Sequence, residues 1–286
     1  DLVALGKGII GVPEAAVGVA DLATGGQVGK FLENEGGDFG FRPKEAREYL
    51  DTFKSEAQKR ADAEVANAKG LIDTARAVVG NPSTAVMAAI ESVPSIGAGG
   101  VVGRGVLTVA PKAGGIVAGA IGEGAVSAGQ NAEQVRQETA GGLLTGEQAA
   151  VLATSGAATG ALSLLGGRVA HAMGISDINT LAAGGAGETA KKGFVKRFLE
   201  GAFSEGVLEE LPQSVQEQVA QNYAQGKPLD EGVDQAAVLG LFTGGMLGGG
   251  TAVLKTGQPQ QKPGPEKALA DLDAAQDVDA AVAAAR

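Results

Sequence analysis

The chain contains no cysteine and no tryptophan, only one histidine, and aromatic residues make up just 3% of it. Without cysteine there can be no disulfide, no thiolate metal site and no thiol nucleophile. His171 stands alone between two alanines, the setting of a surface or helix-end residue and not of a ligand set. Aromatic side chains dominate most cores, so the core must be built from something else. Basic residues are also short: 23 Lys and Arg face 33 Asp and Glu, for a net charge of −10. A general nucleic-acid grip needs clustered cations; an acidic surface lets DNA pass without specific binding. No HExxH, no Ser-centred GxSxG and no metal-ligand spacing occurs. The glycine-rich GGVVGR at 99–104 lacks the Lys-Ser/Thr of a Walker loop. The expectation is a protein that is not an enzyme and has no cofactor.

What the chain has instead is small residues. Its 286 positions include 52 alanines and 47 glycines, more than twice the glycine share of about 7% in ordinary proteins. A glycine in an exposed helix costs about 1 kcal/mol relative to alanine, so tight contacts must offset many such costs. The expected fold is all-α, with Ala/Gly-rich helical hairpins packed closely and repeated. The chain opens at Asp1 without a signal-peptide pattern, which reads as a piece of a longer polypeptide.

Five segments follow from composition. Residues 1–42 read as a glycine-rich short helix and loop, with Pro13 at a helix start and glycine pairs at 25–26 and 36–37 as breaks. Residues 43–93 read as amphipathic helices. Apolar positions recur at three-to-four spacing from Leu50 to Val79, predicting one helix over 43–79 and a second over 83–93 that Pro94 ends. Residues 94–170 read as an Ala/Gly-rich hairpin, although the β-branched VVGRGVLTV at 101–109 also fits a short strand. Residues 171–256 read as a Glu/Gln helix over 188–225 followed by a glycine-striped helix that Asp230 caps. Residues 257–286 read as a Pro/Gln linker and an acidic, alanine-rich tail.

The third and fourth segments resemble each other. Glu123-Gly124, Gln134 and QAAVL at 148–152 are matched by Glu205-Gly206, Gln216 and QAAVL at 235–239. Each QAAVL leads into an uncharged 19-residue run, 149–167 and 236–254, close to the roughly 20 residues that span a bilayer. Glycines recur every fourth position at Gly240, Gly244 and Gly248, and in the pairs Gly115 and Gly119, and Gly156 and Gly160. Such stripes let helix backbones touch, here between copies in a homo-oligomer. Both runs begin after an acid and end before a base (Arg168, Lys255). Consecutive spans alternate in direction, so the basic ends would fall on opposite sides, against the positive-inside rule. That leaves membrane contact conditional.

Paired carboxylates can do acid/base work on glycosides, but Glu205 and Glu209 lie a helical turn apart, downstream of Lys191, Lys192, Lys196 and Arg197. Ion pairing along a solvated helix is the simpler reading. With Gln213 and Gln216 they outline a polar helix–helix seam.

The stretch from Gly193 to Gly250 carries a Glu/Gln-rich helix, the turn Asn222 to Pro228 with an Asn-x-x-x-Gly-Lys-Pro pattern, and an Ala/Gly helix. It resembles segments of large phage internal virion proteins that act in DNA ejection. The match covers about a fifth of the chain. The resemblance implies a helical protein held in the virion interior, released with other ejection proteins into the host cell envelope, and assembled there into a conduit for DNA. Some relatives carry a peptidoglycan-cutting domain, and its motif is absent here. The alternative from composition is a membrane-inserting translocation region of a bacterial toxin or effector.

Overall fold

A computed structural model describes residues 2–35, 40–172 and 202–254. Among these residues there is no strand, and the architecture is all-α. Five helices open the chain: α1 (Leu2–Thr24), α2 (Gln27–Glu35), α3 (Pro43–Thr52), α4 (Glu56–Asn67) and α5 (Leu71–Gly80). Three long ones follow: α6 (Pro82–Val109), α7 (Gly114–Glu138) and α8 (Gly146–Ala172). A π-helical segment, Phe203–Glu210, then runs directly into α9 (Leu211–Gln225), and α10 (Val233–Leu254) completes the fold. The linker and tail at 257–286, and the part of the predicted Glu/Gln helix at 188–201, lie outside the described residues.

Several expectations are corrected. The single helix predicted over 43–79 is three helices. Ser55 N-caps α4 by accepting from the Gln58 N–H at 3.1 Å, and Gly70, at φ +80°, turns the chain into α5. An apolar spacing cannot register such breaks, because it persists across a turn that reorients the axis. Conversely, Pro94 does not end a helix, and 101–109 is not a strand. Both lie inside the 28-residue α6. Proline forfeits one backbone hydrogen bond, but α1 and α7 both pack against α6, and that contact holds the helix through it. Pro13 is likewise internal to α1.

α7 is the hub and packs against α1, α6 and α8. Aliphatic clusters are small. One joins Val65, Ala77, Val78, Ala85 and Val238; another joins Ala132, Val135, Leu144, Leu152 and Ala224. Helix directions follow from paired residues. Gly99 lies against Gly122 and Ser95 against Gln130, so α6 and α7 are antiparallel. Gly156 meets Ala128 and Gly160 meets Ala120, so α7 and α8 are antiparallel. Gly166 faces Glu209 while Gln148 bonds Ala224, so α9 with its π-helical lead runs opposite to α8. Gly206 meets Gly245 and Gly240 meets Ser214, so α10 turns back again. α6, α8 and α10 therefore share one direction. The end holding Val109, Gly114 and Ala172 is called the upper end below.

This arrangement overturns the flanking-charge argument. The two uncharged runs sit on α8 and α10, with α9 between them, so they run the same way. Arg168 and the C-terminus of α10, which Lys255 follows in sequence, lie at the same end.

Candidate functional site

The small-residue stripes are the first structural feature of the interior. A Cβ added to Gly18 would collide with the carbonyl oxygen of Gly129, and one added to Gly129 would collide with that of Ala15. Here α1 and α7 cross backbone to backbone. Gly122 meets the Gly99 carbonyl in the same way, and Gly156 meets Ala128 and the Gly124 carbonyl. A Cβ on Gly160 would stand 2.9 Å from the Ala120 carbonyl, one on Gly240 2.7 Å from that of Glu210, and one on Gly244 2.8 Å from that of Glu205. Gly119 and Gly248 are buried and Gly115 is half-buried. The stripes expected between copies are thus covered, at Gly156, Gly160, Gly240 and Gly244, by helices of the same chain.

The seam lies between α7, α8 and α9. Glu205 and Glu209 are 3% and 1% exposed, so they do not lie on the solvated face that their spacing suggested. Gly166 makes room for the Glu209 carboxylate. Gln213 Nε2 donates to the Thr159 carbonyl at 3.4 Å, and Gln216 Nε2 donates to Thr159 Oγ1 at 2.7 Å. Ser155 Oγ donates to Gln216 Oε1 at 3.2 Å. Gln221 Nε2 reaches Asn131 Oδ1 at 2.6 Å.

Glu217 sits at the centre of this seam. Its Oε1 accepts from Ser127 Oγ at 2.5 Å and Thr159 Oγ1 at 2.6 Å. Burial pushes its pKa up, and the hydrogen bonds from Ser127, Thr159 and Asn131 only partly oppose that rise. A polar cavity of about 370 Å³ adjoins it, lined among others by Ser95, Glu123, Ser127, Gln130, Glu210 and Glu217.

Charges are buried as closely knit groups. Arg136 is 1% exposed. It donates to Glu133 at 2.6 and 2.8 Å and to Glu33 at 3.1 Å, and lies 3.5 Å from Asp21. Asp21 in turn accepts the N–H groups of Val28 and Gly29, closing the start of α2. Arg47 joins Glu14 (2.6 Å) to Glu91 (2.7 Å), tying α3 to α1 and α6. Burial works against the charge of Arg136, but its bonds to Glu133 and Glu33 outweigh that and raise its pKa. Sequence reasoning missed these groups. The available signal was an acid on a helix face otherwise made of Ala and Gly: Glu14 and Asp21 share the buried face of α1 with Ala4, Gly8, Gly11, Ala15 and Gly18.

The outside is the inverse. On α1, Leu2, Leu5, Ile9, Val12 and Val19 are exposed. On α8, Ser155, Thr159 and Ser163 are buried while Leu165 faces out at 57% exposure. α6 exposes Val86, Val93, Val101 and Val109. These three helices are long and apolar enough, by length and composition, to cross a membrane. An apolar groove of about 460 Å³ opens between α1, α7 and α8, lined by Val19, Leu22, Ile121, Ala157 and Leu164 among others. The lone His171 lies exposed at the end of α8.

No protein-family model, curated protein or solved structure matches this chain.

Proposed function

We propose that this chain is a structural, oligomerising segment of a phage internal virion protein. On this reading it helps to form a conduit for genome ejection across the host envelope and passes DNA without gripping it. One observation carries the reading: the polarity of the bundle is inverted. Gly, Ala, Ser, Thr and paired charges make up much of the interior, beside small Val and Leu clusters, while many Leu, Ile and Val side chains of α1, α6 and α8 face outward. Large apolar side chains facing outward call for further apolar surface, from other copies or from lipid. The resemblance read from the sequence of residues 193–250, which no matched relative supports, motivates the context. The paired sequence motifs at 123–152 and 205–239 motivate a duplicated unit, with stacking as its use.

The test is mass measurement in solution, then electron imaging of the protein with lipid vesicles. Discrete oligomers, with rings or tubes on the vesicles, are expected. A protein that stays monomeric at every concentration and ignores lipid would sink the proposal. A second reading, a toxin or effector translocation region, draws on the three helices of membrane-spanning length. Dye leakage from vesicles without any ordered assembly would favour it.

A further inference from the structure

We infer that the upper end of the bundle is a docking surface for anionic lipid headgroups. The antiparallel order of α6, α7 and α8 places three cations, far apart in sequence, at the same end of the bundle. Arg104 near the end of α6 and Lys112 before α7 are exposed, and Arg168 near the end of α8 is half-buried. Among the described residues of α6 to α10, the exposed charged side chains at this end are all basic. The nearby acids Glu205 and Glu209 are buried, and Glu210, turned toward α10 at Gly240 and Gly244, is half-buried. The opposite end of the same helices exposes Glu138, Glu147, Asp230 and Glu231, with Lys227 paired to Glu138 at 3.1 Å. In a chain of net charge −10, the exposed charges of α6 to α10 at this end are thus positive among the described residues.

The cations stand among exposed aliphatic groups. Val101 is 70% and Val109 84% exposed on α6, and Leu165 and Val169 are exposed on α8. Cations interleaved with outward aliphatic side chains suit the boundary of an anionic bilayer, where the heads meet phosphates and the side chains enter the acyl edge. Duplex DNA would use the cations but leave the valines and leucine in water, which favours the lipid surface. The inference rests on the envelope-contact reading above and adds which end leads.

The test is co-sedimentation of the full chain with phosphatidylcholine vesicles, with and without about one-third phosphatidylglycerol. Each cation near such a surface strengthens binding about fivefold, so three give on the order of a hundredfold preference for the anionic vesicles. High salt must erase that preference in the unaltered protein, a readout that needs no variant. The triple change Arg104→Glu, Lys112→Glu, Arg168→Glu, checked for helicity by circular dichroism, is expected to abolish the preference, whereas Lys227→Glu leaves it intact. Equal binding to neutral and anionic vesicles overturns the inference. So does a preference that survives the triple change, or salt-sensitive binding to a DNA duplex that exceeds vesicle binding. Oligomers that form without any headgroup preference would remove this inference and leave the structural reading standing.

Discussion

At the scale of single residues, this protein is held by the absence of side chains as much as by their presence. Gly18 and Gly129 allow α1 and α7 to cross in backbone contact, which positions Asp21 beside Arg136. Gly129→Ala drives a methyl into the Ala15 carbonyl, and overpacking of this kind costs about 1–3 kcal/mol. Gly97 also lies on a long helix, but a Cβ there meets nothing within 4 Å. Gly97→Ala should therefore gain up to about 1 kcal/mol from helix propensity. Chemical denaturation of the two variants checks this. Equal stabilities would refute the close-contact account. The same logic separates the arginines. Arg136→Met leaves Asp21, Glu133 and Glu33 without their shared cation and should cost about 3–5 kcal/mol. Arg76 pairs with Asp73 in solvent, with both side chains well exposed, so Arg76→Met should change stability by less than about 1 kcal/mol.

At the scale of elements, the turn between α9 and α10 shows what was readable. The Asn-x-x-x-Gly-Lys-Pro pattern singled out in the sequence is a closed device. Gly226 takes the left-handed conformation at φ +67°, and the Lys227 N–H returns to the Asn222 carbonyl at 2.9 Å. Asn222 is 1% exposed, and its Nδ2 donates to the carbonyls of Leu229 (3.2 Å) and Glu231 (2.7 Å). Asn222→Ala leaves those acceptors unsatisfied, at a cost of about 1–3 kcal/mol. A thermal midpoint unchanged from the parent would show that the turn is held elsewhere. The helical class and this turn were legible because they rest on local chemistry. The start of α8 is of the same kind: the Thr145 N–H donates to Gln148 Oε1 at 2.8 Å and the Gln148 N–H to Thr145 Oγ1 at 3.1 Å, a capping box. Gln235, in the matching QAAVL, instead reaches the Ala66 and Ala68 carbonyls, so identical letters take different partners. What could not be read was set by tertiary contact. The course of α6 through Pro94 depends on α1 and α7. The burial of Glu205 and Glu209 depends on Gly166 and on α10, neither of which a helical wheel of their own segment contains.

At the scale of the whole molecule, a polar interior makes stability depend on pH, and the contributions oppose one another. Asp51 is bonded by Lys7 and Lys54. Burial disfavours its charge, but these lysines outweigh that and lower its pKa. Such a group stabilises the fold above its unfolded pKa, and that contribution fades as pH falls through the lower folded value. Glu217 works the other way. Its folded pKa is raised above the usual carboxylate value of 4.5 by burial, against the hydrogen bonds of Ser127, Thr159 and Asn131. The folded state then holds the proton more tightly than the unfolded one. The resulting stability is fully present below pH 4.5 and is lost as pH rises through the raised folded pKa. As pH rises above 4.5 the unfolded chain gives up this proton before the folded one does, so neutral pH weakens the α7–α8–α9 junction. Glu217→Gln keeps the shape and the acceptor oxygen for Ser127 and Thr159 while removing the charge. The variant should melt above the parent at pH 7, and the gap should close as the pH approaches 4.5. Taking the difference between the two proteins cancels Asp51 and every other shared group. A gap that is independent of pH, or that widens on acidification, would show that Glu217 is not the strained charge at the centre of the bundle.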